Sequence, residues 1–181
     1  VGADLIDEGE LFLRGGARAT GKYWGRSIYG VCDPALSPQG ETMAYDMGAR
    51  YVWYWTSEHD HHMPWPEQVE LTKGLRKYVA EHPRPSIRGP RPMLDKVILI
   101  PYGYFLTLES DTGRKQSWDL WWVRELDPAG KNEASRRYRQ LMRNAFIEIG
   151  KAFDAKEDFD ISVDDGTQPK GYRQTVRVKD E

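Results

Sequence analysis

Tyr51-Val52-Trp53-Tyr54-Trp55 sets five strand-forming residues in a row with no polar residue between them. A run of that kind suits a short strand covered on both faces, as in a parallel sheet. Gly48 closes the segment before it, and a polar loop with Pro64 closes it afterwards. That loop gathers Glu58, His59, Asp60, His61 and His62 at consecutive positions. A core strand running into ionisable side chains is how α/β enzymes present their chemistry.

The segments on either side extend the pattern. Ala3 to Ala19 reads as a helix, with Leu5, Ile6, Phe12, Leu13 and Ala17 broadly on one side and Gly21 at its end. Tyr23 to Val31 reads as a strand that runs into Cys32-Asp33-Pro34. Ser37 is the expected N-cap of the next helix, with Pro38 at its first position. Its apolar face is expected from Leu36, Met43, Ala44 and Met47. Pro66 opens a third helix, with Glu67 in the first turn, where a negative charge is favoured. Leu71, Leu75, Tyr78 and Val79 form its buried face, and Glu81-His82-Pro83 stops it. Helix, strand, helix, strand, helix is the signature of βα units on a parallel sheet.

Four prolines and three arginines between Pro83 and Pro92 make a semi-rigid linker. The expected layout is therefore a first domain over 1–82, a linker over 83–95 and a second domain over 96–181. Val97 to Ile100 is a buried strand in that second part. Asn132 can cap a long helix, Glu133 to Phe153, with Tyr138, Leu141, Met142, Ala145, Phe146, Ile149 and Phe153 on one face. Phe159 to Val163 is the next strand, followed by an Asp164-Asp165-Gly166 turn, and Gln174 to Val178 is either one more strand or a frayed tail. Strand, long helix, strand opens a flavodoxin-like or Rossmann-type domain.

Composition narrows the function classes. With 39% hydrophobic and 12% aromatic residues the chain can build a core. A net charge of −2 with interspersed signs argues against an electrostatic nucleic-acid binder. The longest strongly apolar run, Val97 to Ile100, is too short to span a bilayer. Cys32 stands alone, so an internal disulfide is excluded and the compartment stays open. Tyr102-Gly103-Tyr104 follows a strand without a glycine-rich phosphate fingerprint, so no cofactor is expected.

Two stretches together resemble a known family. They are Leu13-Arg-Gly-Gly-Ala-Arg-Ala-Thr-Gly-Lys-Tyr-Trp24 and Gly48-Ala-Arg-Tyr-Val-Trp-Tyr-Trp-Thr-Ser57 with the acidic-histidine loop behind it. They resemble the last βα units of TIM-barrel glycoside hydrolases of the β-galactosidase type. The resemblance implies that Tyr23 to Val31 and Tyr51 to Trp55 are the seventh and eighth strands of a (β/α)8 barrel. It implies that 96–181 begins a flavodoxin-like, glutamine-amidotransferase-like domain used for homo-oligomer formation. The chain would then be the C-terminal part of a longer protein, since such a barrel needs about 200 residues or more. In this family a nucleophilic glutamate ends strand seven, whereas this sequence offers Asp33 there, and the acid/base glutamate belongs to strand four.

The chemistry expected from the resemblance and the residues is glycosidic-bond hydrolysis by carboxylates, with carbohydrate as the partner. Asp33, Glu58 and Asp60 are the candidate acids, because retaining glycosidases need two carboxylates about 5 Å apart. Asp33 before Pro34 reads more readily as a turn, and Glu58 with Asp60 is equally readable as a solvated loop. Trp55, Trp65, His59, His61 and His62 are the candidate sugar contacts, since aromatic faces stack on the C–H faces of sugars. Trp53 and Trp55 share one face of their strand and Tyr54 takes the other. The histidines could instead hold a divalent metal, but adjacent residues of an extended loop point apart and the His-Glu-x-x-His spacing is missing. Two alternatives to the hydrolase stay open: a non-catalytic carbohydrate-binding or assembly module, and a metal-dependent hydrolase using the histidine loop.

Overall fold

The computed structural model describes residues 3–28, 34–55, 62–86, 92–101 and 131–179. They form a mixed α/β chain whose strands pair in parallel within small sheets, divided into two compact units, Val1–Met93 and Leu94–Glu181.

The first unit runs α1 (Ala3–Thr20), β1 (Gly25–Ile28), α2 (Ser37–Met47), β2 (Tyr51–Tyr54) and α3 (Trp65–Glu81). β1 and β2 pair in parallel with Gly25 opposite Tyr51 and Ile28 opposite Tyr54, so both strands end level. Strand alternation puts Arg26, Ile28, Val52 and Tyr54 on one face. Ile28 packs there with Met63 and Leu71, against Val52 and Tyr54. A second cluster of Ala17, Trp24, Ala44 and Ala49 seals α1 and α2 beside the strand entry.

Several expectations need correcting. β2 is not covered on both faces: Tyr51 and Trp53 are 53% and 52% exposed, while Val52 and Tyr54 are half-buried. A run of strand formers reports strand, and does not report how many faces have neighbours. Ser37 is not the N-cap: Leu36 occupies that position, and the buried Ser37 hydroxyl has no hydrogen-bond partner. α2 buries Ser37, Gly40, Glu41, Ala44 and Tyr45: of the expected face Ala44 is buried and Met47 packs against its cluster, while Leu36 and Met43 are only half-buried. Likewise α1 buries Glu10 and Arg14 and leaves Leu13 exposed. In both helices polar side chains with partners inside took core positions that hydropathy alone gives to Leu and Met.

α2 and α3 are clasped by polar aromatics. The Tyr78 hydroxyl donates to Asp46 at 2.7 Å, and the Tyr45 hydroxyl donates to the His82 carbonyl at 2.9 Å. Arg84, expected to belong to a linker, lies 4.1 Å over the Tyr45 ring. It donates to the carbonyls of Tyr45 and Ala49, at 2.7 and 2.9 Å.

The second unit holds β3 (Leu94–Pro101), α4 (Glu133–Asp154), β4 (Phe159–Asp164) and β5 (Tyr172–Arg177), with strand order β4-β3-β5, all parallel. Val97 to Ile100 of the central strand are buried, as an uninterrupted aliphatic run in a parallel sheet requires. Asn132 caps α4, its side chain accepting from the Ser135 amide at 2.8 Å. Tyr138, Leu141, Met142, Ala145 and Ile149 are buried as expected, but Phe146 and Phe153 are exposed. The 83–91 part of the expected linker is described only as far as Ser86, and Tyr102-Gly103-Tyr104 lies outside the described residues.

The link from β4 to β5 contains no helix and spans only 165–171. Joining parallel strands usually takes a dozen or more residues. Here β4 ends at the level of Pro101 and β5 starts at the level of Leu94, on the opposite side of β3. The connector must therefore travel about 25 Å, close to its full reach. Gly166 and Gly171, at φ +82° and +87°, turn it at its two ends. Arg177 fastens it, donating to Asp164 at 3.0 Å and to the Thr167 carbonyl at 2.8 Å.

Replacing Asn132 with alanine removes the cap of α4 and costs about 1 kcal/mol. A urea unfolding midpoint for the second unit that does not move would contradict this account of the cap.

Candidate functional site

Of the residues singled out in the sequence, Asp33, Glu58, His59, Asp60 and His61 lie outside the described residues. Trp55, His62 and Trp65 are described, and all three are exposed, Trp65 to 73%. They gather at the carboxyl edge of the β1–β2 sheet. The Trp55 amide donates to the Ile28 carbonyl at 2.9 Å, which ties the end of β2 to the end of β1. The Met63 amide then donates to the Trp55 carbonyl at 3.0 Å. The chain therefore leaves β2 and returns to it at one place, and the loop carrying Glu58 and Asp60 in the sequence is rooted there.

That root is fixed from below. Met63 is buried with Ile28 and Leu71, and Gln68 of α3 donates to the Met63 carbonyl at 2.6 Å. Helix and strand thus hold the two ends of this segment, the kind of support a binding site needs. The same bonds would also suit a purely structural loop; the difference lies in what surrounds them.

Around the root the open face of the sheet is aromatic. Tyr51 and Trp53 point away from the helices, and Trp55 follows at the same two-residue spacing. Ser27 lies opposite Trp53, and its hydroxyl is without a hydrogen-bond partner. The Arg50 guanidinium lies 5.0 Å from the Tyr23 ring centre and 5.8 Å from that of Tyr51, closing the row with a cation. Ring faces in sequence, closed at one end by a cation, suit a ligand with apolar faces and polar edges.

The helix-side face is polar in a different way, through side chains that hydropathy alone does not place inside. Arg26 of β1 donates to Glu10 of α1 and, at 3.0 Å, to the Gly40 carbonyl of α2. A Cβ at Gly40 would meet the guanidinium at 2.8 Å, so a side chain there would push the end of Arg26 out of its present place. The Tyr54 hydroxyl donates to the Glu41 carboxylate at 2.6 Å and lies 3.2 Å from the Thr72 hydroxyl of α3. Glu41 is only 1% exposed. Burial pushes its carboxyl above the ordinary range, outweighing the hydrogen bond from Tyr54 and the Arg26 charge, which act the other way. Burial and the Glu41 bond push the Tyr54 phenol up to about 12. Closed off from solvent, Glu41 cannot reach a substrate, so this network positions β2 rather than reacting. The available signal was a charged residue at the core phase of α2, which demands a buried partner.

Among the described residues no three histidine, cysteine or carboxylate side chains converge to hold a metal, and no helix is long and apolar enough to cross a membrane.

Because Glu41 keeps its proton to a higher pH when folded, the native state binds more protons than the unfolded chain above the ordinary glutamate range. Stability from this group is therefore lost as pH rises through that window. Glu41→Gln removes the dependence, so the variant gains on the natural protein as pH increases; a stability difference that is flat with pH would refute the assignment. Tyr54→Phe leaves the buried carboxyl without its donor and lowers stability by about 1–3 kcal/mol. Comparison of the chain with family models, with curated proteins and with solved structures finds no match.

Proposed function

We propose that this chain serves a carbohydrate-active hydrolase that cleaves glycosidic bonds by carboxylate acid/base chemistry. The observation that carries the reading is the exposed row Tyr51, Trp53, Trp55 beside the root of the loop whose sequence holds Glu58 and Asp60. Rings spaced along a strand offer successive stacking surfaces to a sugar chain. Trp65 and His62, exposed just past the loop, extend that surface. β1, α2, β2 and α3 form two consecutive βα units with level carboxyl ends, which is the local arrangement of a TIM barrel, where active sites sit at that end. The proposal for the whole fold is accordingly the last part of such a barrel, followed by a flavodoxin-like start. The order β4-β3-β5 agrees with the first three strands of that fold, while the helix-free 165–171 link departs from it.

In this mechanism Glu58 or Asp60 protonates the leaving oxygen and a second carboxylate, with Asp33 the candidate from the preceding βα unit, stabilises or attacks the anomeric carbon. A second reading, a carbohydrate-binding module without turnover, is favoured by one observation: the exposed row itself, Tyr51, Trp53 and Trp55, consists of aromatic side chains.

Titration with neutral oligosaccharides followed by tryptophan fluorescence, together with release of a chromogenic aglycone from aryl glycosides, tests both. Trp53→Ala is expected to weaken binding about tenfold, the loss of an aromatic contact worth about 1.4 kcal/mol. Glu58→Gln is expected to slow turnover about 100- to 10,000-fold while binding survives. Binding with no turnover from any sugar would move the chain to the module reading, and turnover abolished by a chelator would move it to a metal-dependent hydrolase. Absence of binding to every sugar tried would end the carbohydrate proposal.

A further inference from the structure

The amino edge of the β1–β2 sheet carries charge of one sign. From Gly16 to Ile28 and from Met47 to Ser57 the sequence has the cations Arg18, Lys22, Arg26 and Arg50 and no acid, in a chain whose acids outnumber its cations. Arg26 turns inward to Glu10, and Arg18 donates to the Pro92 carbonyl at 3.0 Å. Lys22 and Arg50 are exposed. The Arg50 guanidinium lies over the exposed Tyr23 and Tyr51 rings, and among the described residues no carboxylate pairs with it. Its backbone is fixed, the amide donating to the Trp24 carbonyl at 2.8 Å. Two rings thus steady a surface cation whose N–H groups stay open to an anion.

Resting on the carbohydrate function proposed above, we infer that the sugar bound at the Arg50 end of the aromatic row is a uronate. The ligand is then an oligosaccharide with one acidic unit at that end and neutral units toward the loop. Alternate residues of a strand stand about 6.6 Å apart, which puts Tyr51 roughly 13 Å from Trp55. The cations of the edge do not continue along the row, because Arg26 of the neighbouring strand belongs to the helix-side face. A polymer acidic at every unit would lay its further charges over uncharged rings, so the row selects a chain with a single acidic end. A uronate's carboxylate is joined directly to its ring. A unit stacked on Tyr51 therefore brings both oxygens to the guanidinium, the planar two-point match that arginine makes and lysine does not. A sulfate ester stands one bond further out and presents no such plane. Far from the bond to be cleaved, this contact holds substrate and transition state alike, so it lowers KM and leaves kcat unchanged.

The probes are neutral gluco-, galacto- and manno-oligosaccharides, each with its terminal C6 oxidised to the uronate, the methyl ester of that uronate, and a C6 sulfate. Titration of the full chain, followed by tryptophan fluorescence, is expected to show a uronate bound about fivefold tighter than its neutral parent at low ionic strength. The advantage is expected to vanish in molar salt and in the methyl ester. Arg50→Gln is expected to abolish it while affinity for the neutral chain is kept, and Arg50→Lys to retain only part of it. Equal binding of neutral and uronate forms overturns the inference and leaves the carbohydrate function standing. So does an advantage that survives Arg50→Gln, and so does a sulfate bound tighter than the uronate. Binding of no form overturns the carbohydrate function, and this inference with it.

Discussion

One hydrogen bond organises the first unit: the Tyr54 hydroxyl to the buried Glu41 carboxylate. It joins β2 to α2, and through Thr72 the same hydroxyl reaches α3. Arg26 continues the connection from β1 to the Gly40 carbonyl and to Glu10 of α1. Five elements are therefore held by polar groups that only close together can tolerate burial. Removing one member strands the rest away from water, which makes the assembly cooperative in a way that apolar contacts alone do not. Among the described residues this unit has a two-stranded sheet and small apolar clusters, so it depends on that network for the position of β2, and hence for the edge where Trp55 and Met63 meet.

The second unit is built on the opposite principle. Its central strand is aliphatic from Val97 to Ile100 and fully enclosed, so hydrophobic burial fixes its place. Polar residues appear where strands enter or leave: Lys96 pairs with Glu157, and the Tyr172 hydroxyl donates to the buried Asp160 at 2.6 Å. Lys96 meets Glu157 just before β4, and Asp160 of β4 meets Tyr172 of β5, so each has a polar neighbour at the sheet's edge.

What could be read in the sequence follows from this difference. The cap at Asn132, the buried face of α4 through Tyr138 and Ile149, and the strand at Val97 to Ile100 are set by local rules, and each stands where those rules put it. Ala17 and Ala44 are buried on the expected faces of α1 and α2, but Glu10, Arg14 and Glu41 are inside as well, and no local rule foretells a partner contributed by a distant strand. Arg84 was taken for linker because its proline neighbours hide a role over the Tyr45 ring. Of the candidate site, the alternation of Tyr54 against Trp53 and Trp55 was legible from the pleat. The bond between Met63 and Trp55 that roots the loop was not, since it depends on where α3 begins and on Gln68 beneath it.

The strap formed by 165–171 has its own consequence for how this sequence can change over time. Because it is stretched nearly to its limit across β3, it has no slack to absorb the loss of a residue. Deletion of a single position would drag β5 one step along β3, and a one-step slip turns every side chain of a strand to the other face. Thr175 and Arg177 would trade places with Gln174 and Val176, putting polar groups where the sheet is apolar. Surface loops elsewhere in a protein drift freely in length; this short one is held to its present length as firmly as a core position is held to its volume.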